Sequence, residues 1–148
     1  MNIRLDIKAF NALSLDELYK VLWLRDIVFV VGQKITSESE VDGLDPECHH
    51  ALLWNGDHII GTARIFADRQ PSIVGRVAVH PDFQHQGLGR KLMEHIGIWL
   101  AGRPSELHAQ AHLEDWYQSL GWTRHGDIFV EAEIPHVMMT LNLTKEPQ

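Results

Sequence analysis

The sequence predicts an α/β fold of the mixed, α+β kind: a central sheet of six to seven strands with helices on both faces. Three observations carry this. Apolar stretches of strand length recur between helical stretches in the order β-α-β-β-β-α-β-α-β-β. One such run, Ile73-Val74-Gly75-Arg76-Val77-Ala78-Val79, leads through a glycine-bearing turn into an amphipathic segment. At 148 residues the chain suits one domain, 1–148, large enough to bury roughly 70% of its unfolded surface.

The elements follow in order. Residues 3–8 set Ile3, Leu5 and Ile7 against polar neighbours and read as a strand. Ser14-Leu15-Asp16-Glu17 is a capping box, with a hydroxyl at the N-cap and a carboxylate three residues on. Leu15, Leu18, Tyr19, Leu22, Val28 and Phe29 follow at helical spacing, and Gly32 stands where the helix should end. Residues 33–47 form a polar loop rich in carboxylates. His49 to Trp54 reads as a strand, Asn55-Gly56-Asp57 as a hairpin turn, and 58–67 and 72–80 as further strands. A helix spans 88–101, with Leu88, Leu92, Ile96 and Trp99 on one face. A short strand from Glu106 to Ala111, a short helix from Asp115 to Leu120, and strands near 122–130 and 136–143 complete the order.

Bulk properties exclude several classes. The net charge of −7 argues against a nucleic-acid partner, which needs a basic face. Cys48 is the single cysteine, so no disulfide within the chain and no cysteine-rich zinc site is expected. The first residues lack a signal-peptide layout, and no apolar run reaches the ~18 residues of a spanning helix. A cytoplasmic protein with no membrane partner is the expectation. No metal is expected either: none of the ten histidines makes H-E-x-x-H, and His108 and His112 fall on a strand and its end, where their spacing does not converge.

Gln84-His85-Gln86-Gly87-Leu88-Gly89 is the most informative stretch. Strand, glycine-bearing turn and helix N-terminus in that order build an anion site. The first N–H groups of a helix have no partner, and the dipole places about half a positive charge there. Glycine lets the backbone close around a ligand where a Cβ would collide. A phosphate or pyrophosphate is the expected ligand. G-x-x-x-x-G-K-[ST] is absent, which excludes a P-loop, and no strand is followed by G-x-G-x-x-G, which excludes a dinucleotide fingerprint. The pattern present, Q-x-x-G-x-G after Val79-His80-Pro81-Asp82, resembles the coenzyme A signature of the GCN5-related N-acetyltransferases.

A second stretch, Trp116-Tyr117-Gln118-Ser119-Leu120-Gly121-Trp122, resembles the F-Y-x-x-x-G-F segment of the same family, one helix and one strand further on. The resemblance covers essentially the whole chain. Within the family the chain is similar to the ElaA-like branch. That likeness rests on Arg25, Val28 to Val31, Gln33, Asp42-Gly43, Asp45, Gly75-Arg76-Val77, Val79, Ala109 to His112 and Ile134-Pro135-His136. The chain departs in having Gly32 where the branch usually has Glu. Gln110 and Gln84 replace the frequent Asn and Arg of the wider family.

The resemblance implies acetyl-coenzyme A as the acyl donor, and a single domain that transfers acetyl to a primary amine by direct attack. Gln84, His85, Gln86, Gly87, Leu88, Gly89 and Arg90 would hold the phosphates. The backbones of Val77, Ala78 and Val79 would extend a ladder to the pantetheine amides, with the Val77 N–H as donor to the thioester carbonyl. The Gln110 amide would bind the coenzyme as well. Tyr117 is implied as general acid, since a phenol of pKa about 10 is protonated at neutral pH; a packed core aromatic is the other reading. The strand before the turn has no carboxylate to serve as base. His136, after Pro135 on a late strand that reaches the acceptor side in this fold, is the candidate. A structural histidine and a base acting through water stay open beside it.

In this fold the first helix and the loop after it wall the acceptor pocket. The substrate-binding candidates there are Arg25, Arg76, Asp42 and Asp45. Carboxylates would attract a cationic amine, and Arg76 would either bind an acceptor carboxylate or pair with Asp42 or Asp45. Expected partners are acetyl-coenzyme A, a small-molecule amine and, as one option, a second copy in a homodimer. A module that binds acyl-coenzyme A without turnover is the alternative; Tyr117 and His136 favour the enzyme, Gly32 the module.

Overall fold

The computed structural model describes residues 1–141 and arranges seven strands in one sheet. They are β1 (Ile3–Ala9), β2 (His49–Asn55), β3 (His58–Phe66), β4 (Ser72–Val79), β5 (Ser105–Gln110), β6 (Thr123–Glu131) and β7 (Ile134–Leu141). The helices are α1 (Leu15–Arg25), α2 (Leu88–Leu100) and α3 (Glu114–Ser119). The order across the sheet is β1-β2-β3-β4-β5-β7-β6, antiparallel except between β4 and β5. Among the described residues no helix is long and apolar enough to cross a membrane.

Strand periodicity sorts the core into two layers. Ala51 and Leu53 of β2 face α2, whose Leu88, Leu92, Met93, Ile96 and Leu100 are buried with Leu107, Val137 and Met139. Leu52 and Trp54 face the other way, onto Val21, Leu24 and Val28. Helices thus cover both faces, as the sequence predicts. Adjacent histidines follow the same rule: the His49 ring lies 5.0 Å from Trp99 of α2, and His50 turns to the α1 side.

The capping box forms as expected, with Glu17 N–H donating to Ser14 Oγ at 3.0 Å and Ser14 N–H to Glu17 Oε1 at 2.9 Å. Two expectations for this helix are corrected. Its buried side is Val21, Leu24, Arg25 and Val28, while Leu15 and Tyr19 are 88% and 72% exposed. The sheet receives a different ridge of the helix from the one their spacing suggests. Nor does a left-handed residue at Gly32 stop it. The helix widens into a π segment over Asp26–Gly32, with Gln33 N–H bonded to the Val28 carbonyl at 3.0 Å, and the positive φ falls on Lys34, at 58°. Gly32 is required instead by proximity: a Cβ there would lie 3.0 Å from the Ile27 carbonyl oxygen.

β7 starts at Ile134, two residues before the expected 136, because Pro135 is tolerated there. It pairs with Val130 of β6, and pairing with β5 begins only at His136, so the missing N–H falls where β7 has one neighbour. Residues 142–143 of the expected last strand lie outside the described residues.

The acidic loop is fastened by a closed ring of alternating charges. Arg25 Nε donates to Glu40 at 2.6 Å, Arg76 Nε to Glu40 at 3.0 Å and Arg76 Nη2 to Asp42 at 3.4 Å. Arg64 bonds Asp42 at 2.7 Å and Asp45 at 3.2 Å, and Arg25 closes the ring on Asp45 at 2.8 Å. The three guanidinium groups come from α1, β3 and β4, and the three carboxylates from one loop. The hydrogen bond from Arg64 holds the Asp42 carboxyl well below the usual carboxylate range. Burial works to raise Asp45, but Arg25 and Arg64 outweigh it and lower it.

Beneath the ring, His50 is fully buried with Nε2 3.0 Å from the Asp45 carbonyl oxygen. A carbonyl only accepts, so Nε2 carries the proton and Nδ1 is left without a partner. Burial lowers the pKa of His50. The folded state therefore takes up its proton at a lower pH than the unfolded chain. Stability from this group is complete above about pH 6.5 and falls as the pH drops from there toward the depressed folded value. Denaturant titrations at pH 7.5 and 5.5 should show a loss of stability in the native protein that is smaller in His50→Gln. Equal losses in both would mean that His50 titrates freely when folded.

Candidate active site

β4 and β5 pair only at Ser72↔Ser105 and Ile73↔Glu106 and then part. A bulge accompanies the parting. The register with β3 passes from Thr62↔Ala78 to Arg64↔Gly75, so Arg76 and Val77 together oppose Ala63. The side of β4 facing β5 is thus without a strand neighbour from Val74 to Val79. Its backbone groups there are available to a ligand.

At the open end stands the glycine turn. Gln84 Nε2 donates to the Val79 carbonyl at 3.0 Å and Gln86 Nε2 lies 3.4 Å from that of Asp82, so both side chains brace the turn. His85 and Gly87 have φ of 63° and 78°. Lys91 N–H makes the first bond of α2, to the Gly87 carbonyl at 3.2 Å, which leaves the N–H groups of Leu88, Gly89 and Arg90 ahead of the helical ladder. The two glycines differ. A Cβ on Gly87 would meet nothing within 4 Å, and its left-handed backbone is what demands glycine; a Cβ on Gly89 would sit 3.4 Å from the Trp116 ring. The turn residues, with open space in front of them, fit a pyrophosphate. Leu88 is a core side chain, so only its backbone faces this space. Arg90 bonds Ser119 Oγ at 2.7 Å on the rim.

A cavity of about 750 Å³ runs along the slit. Arg76, Val77, Ala78 and Val79 form one side, and Gln84, His85, Gly87, Gly89 and Arg90 the end. Gln110, Tyr117 and His136 line it as well. Of the expected site residues, Gln86, Leu88, Arg25, Asp42 and Asp45 do not line it. Arg25 and Asp45 are 1% and 5% exposed and pair with each other inside the ring, whereas Arg76 reaches the cavity wall with Glu40.

Tyr117 and His136 meet the cavity from opposite faces of the sheet. Tyr117 belongs to the α2 side, 5% exposed, its ring edge-on to Trp116 at 4.9 Å. Burial pushes its phenol up to about 12. His136 pairs with Gln110 and Phe129 in the ladder and so shares their face, away from Ala109 and Val137 of the α2 layer. Its Nδ1 lies 2.7 Å from the Ile134 carbonyl oxygen. In the neutral ring that contact places the proton on Nδ1 and leaves the lone pair on Nε2.

Several features of the cavity were not read from the sequence. Gln33 and Gln110 exchange amide bonds of 2.9 and 3.4 Å, linking the end of the π segment to the end of β5. His108 Nδ1 lies 2.8 Å from Glu131 Oε1, and both line the cavity. Arg64 and Glu40 complete the ring. Arg64 had a signal: an arginine amid Ile59 to Phe66, a strand otherwise buried from Ile59 onward, demands a carboxylate partner. Glu40 had none that separated it from the other loop acids.

Known proteins agree with this geometry. Residues 29–143 match the model of the acetyltransferase (GNAT) domain. A UPF0039 protein of Schizosaccharomyces pombe is 36% identical over 96% of this chain and 99% of its own length. Protein ElaA of Escherichia coli is 35% identical over 87% of this chain and 90% of its own; its crystal structure superposes with a TM-score of 0.87, covering 95% of this chain and 99% of that one. An acyl-CoA N-acyltransferase from Pseudomonas aeruginosa superposes with a TM-score of 0.83 at 34% identity, with coverage of 95% and 99%. With its parted β4 and β5, its glycine turn at the head of α2 and these relatives, the chain belongs to the GCN5-related N-acetyltransferase (GNAT) family.

Proposed function

We propose that the protein transfers the acetyl group of acetyl-coenzyme A directly to a primary amine of a small molecule. The observation that carries this reading is the slit itself. It offers unpaired β4 backbone to an extended chain and helix N–H groups to phosphates at its end, and it exposes one protic side chain from each face of the sheet. In the reaction the amine nitrogen attacks the thioester carbonyl carbon. Negative charge develops on the carbonyl oxygen, to which the Val77 N–H donates. His136 Nε2 takes the proton from the nitrogen, the C–S bond breaks, and the Tyr117 hydroxyl protonates the departing sulfur.

The burial of Tyr117 suits that task in two ways. Its raised pKa keeps the phenol protonated throughout the range in which amines become free. The same desolvation raises the basicity of a thiolate formed beside it, so the two stay matched for proton transfer. For His136, the carbonyl on Nδ1 fixes the tautomer and leaves the basic nitrogen available.

Thiol release from acetyl-coenzyme A, measured against a panel of primary amines, tests the activity; silence across the panel with retained coenzyme binding would favour a binding module. Gly87→Val forces a β-branched residue into a left-handed turn and fills the space before the helix, so calorimetric affinity for coenzyme A should fall by 10-fold or more, on the order of a lost charged hydrogen bond. Unchanged affinity would remove the turn from the binding site. Tyr117→Phe keeps the packing and removes the proton; turnover should drop by roughly 10²-fold with little change in coenzyme affinity. Full activity would assign the proton to water. If His136 is the base, kcat/KM should rise with pH through its titration, and His136→Ala and His136→Asn should lose that limb and about 10²–10⁴ in rate. A limb surviving in both variants would make His136 structural.

A further inference from the structure

Arg76 is, among the described residues, the one non-glycine residue with a positive φ inside a strand. Its φ of 51° lies in the left-handed region, which a residue with a β-carbon adopts at a cost and keeps only when its surroundings hold it there. The other non-glycine residues of this kind lie in turns or at a helix end. Arg76 also sits in the bulge of β4, directly before Val77. The peptide between them carries the Val77 N–H, so the dihedrals of Arg76 set where that donor points.

What surrounds Arg76 is definite. Its Nε donates to Glu40 at 3.0 Å and its Nη2 lies 3.4 Å from Asp42. Both carboxylates are already fixed from the other side, Glu40 by Arg25 at 2.6 Å and Asp42 by Arg64 at 2.7 Å. The side chain is therefore held at two points on immobile anchors. Nothing in the bulge itself does this: the preceding Gly75 has no atom within 4 Å of a Cβ built on it.

We infer that Glu40 and Asp42 are positioning residues for acyl transfer: through the Arg76 guanidinium they hold the β4 bulge in the turn that aims the Val77 N–H at the thioester carbonyl. The inference rests on the acetyl-transfer reading. It gives the acidic loop a role in polarising the donor, apart from any contact with the acceptor amine.

The anchor and the dihedral can be separated, because glycine adopts this φ without an anchor. Arg76→Ala keeps a β-carbon and loses the anchor, so kcat should fall on the order of 10-fold, less than the loss of a whole oxyanion donor. Arg76→Gly should retain at least about fivefold more kcat than Arg76→Ala. Glu40→Ala should lower kcat, and adding Arg76→Gly to it should raise kcat again, a rescue that neither an acceptor contact nor a purely stabilising ion pair would give. Equal kcat in the alanine and glycine variants overturns the proposal. A second measurement needs no turnover. The Val77 amide resonance should respond differently to acetyl-coenzyme A and to coenzyme A, and Arg76→Ala should lose the difference while Arg76→Gly keeps it. If the native Val77 amide binds in the site yet does not distinguish thioester from thiol, the proposal fails even with an active enzyme. If it does distinguish them while no amine is acetylated, the catalytic reading fails and the positioning stands.

Discussion

The ring of three guanidinium groups and three carboxylates is the constraint on which the rest of the structure depends. Desolvating a charge costs several kcal/mol even after relaxation, and an isolated buried pair seldom recovers it. Here each charge has two opposite neighbours, and the ring is neutral as a whole. Removing one member leaves two others uncompensated, a loss of about 3–5 kcal/mol for a buried partner. An apolar cluster of the same volume would pack as well, but it would not fix where a fifteen-residue polar loop crosses the sheet, since hydrophobic contact has no direction. Charge pairing has one. It joins helix α1, strand β3 and the bulge of β4 to the same short segment of loop.

That junction lies beside the place where the sheet comes apart. A continuous sheet would satisfy β4 on both sides and leave no room for an extended ligand. The bulge interrupts this, and the backbone groups released become recognition elements that no substitution of side chains can abolish. The turn at the head of α2 works in the same way, through N–H groups and not through charged side chains. The overall charge of −7 is thus no obstacle to holding a polyanion, because the local field comes from oriented peptide dipoles.

How much of this was legible in the sequence follows from the range of the interactions. The strands, the hairpin at Asn55-Gly56-Asp57, the capping box and helix α2 are set by neighbours within a few residues, and period and turn chemistry reveal them. The turn at Gln84 to Arg90 and the aromatic pair Trp116-Tyr117 are local as well. The exposed ridge of Leu15 and Tyr19 misled because helical spacing gives the apolar positions but not the ridge that the sheet receives. The π segment was hidden in Ile27 to Val31, an apolar run without a period. The ring and the Gln33–Gln110 link join residues distant in sequence, and one chain read alone contains nothing that pairs them.

The π segment has a consequence for how such a chain can change. A π turn is a helix that has accepted one residue more than its hydrogen bonds need. Losing one residue between Asp26 and Gly32 would restore ordinary winding and rotate everything after it by about 100° relative to α1. Gln33 would then leave the mouth of the slit and its amide partner on β5, while the ring-forming Arg25, which precedes the segment, would keep its phase. The wall of the cavity and the frame that supports it are therefore separable by a change in length, with no substitution at either. Insertion and deletion, more than replacement, are the route by which this scaffold can be fitted to a different acceptor.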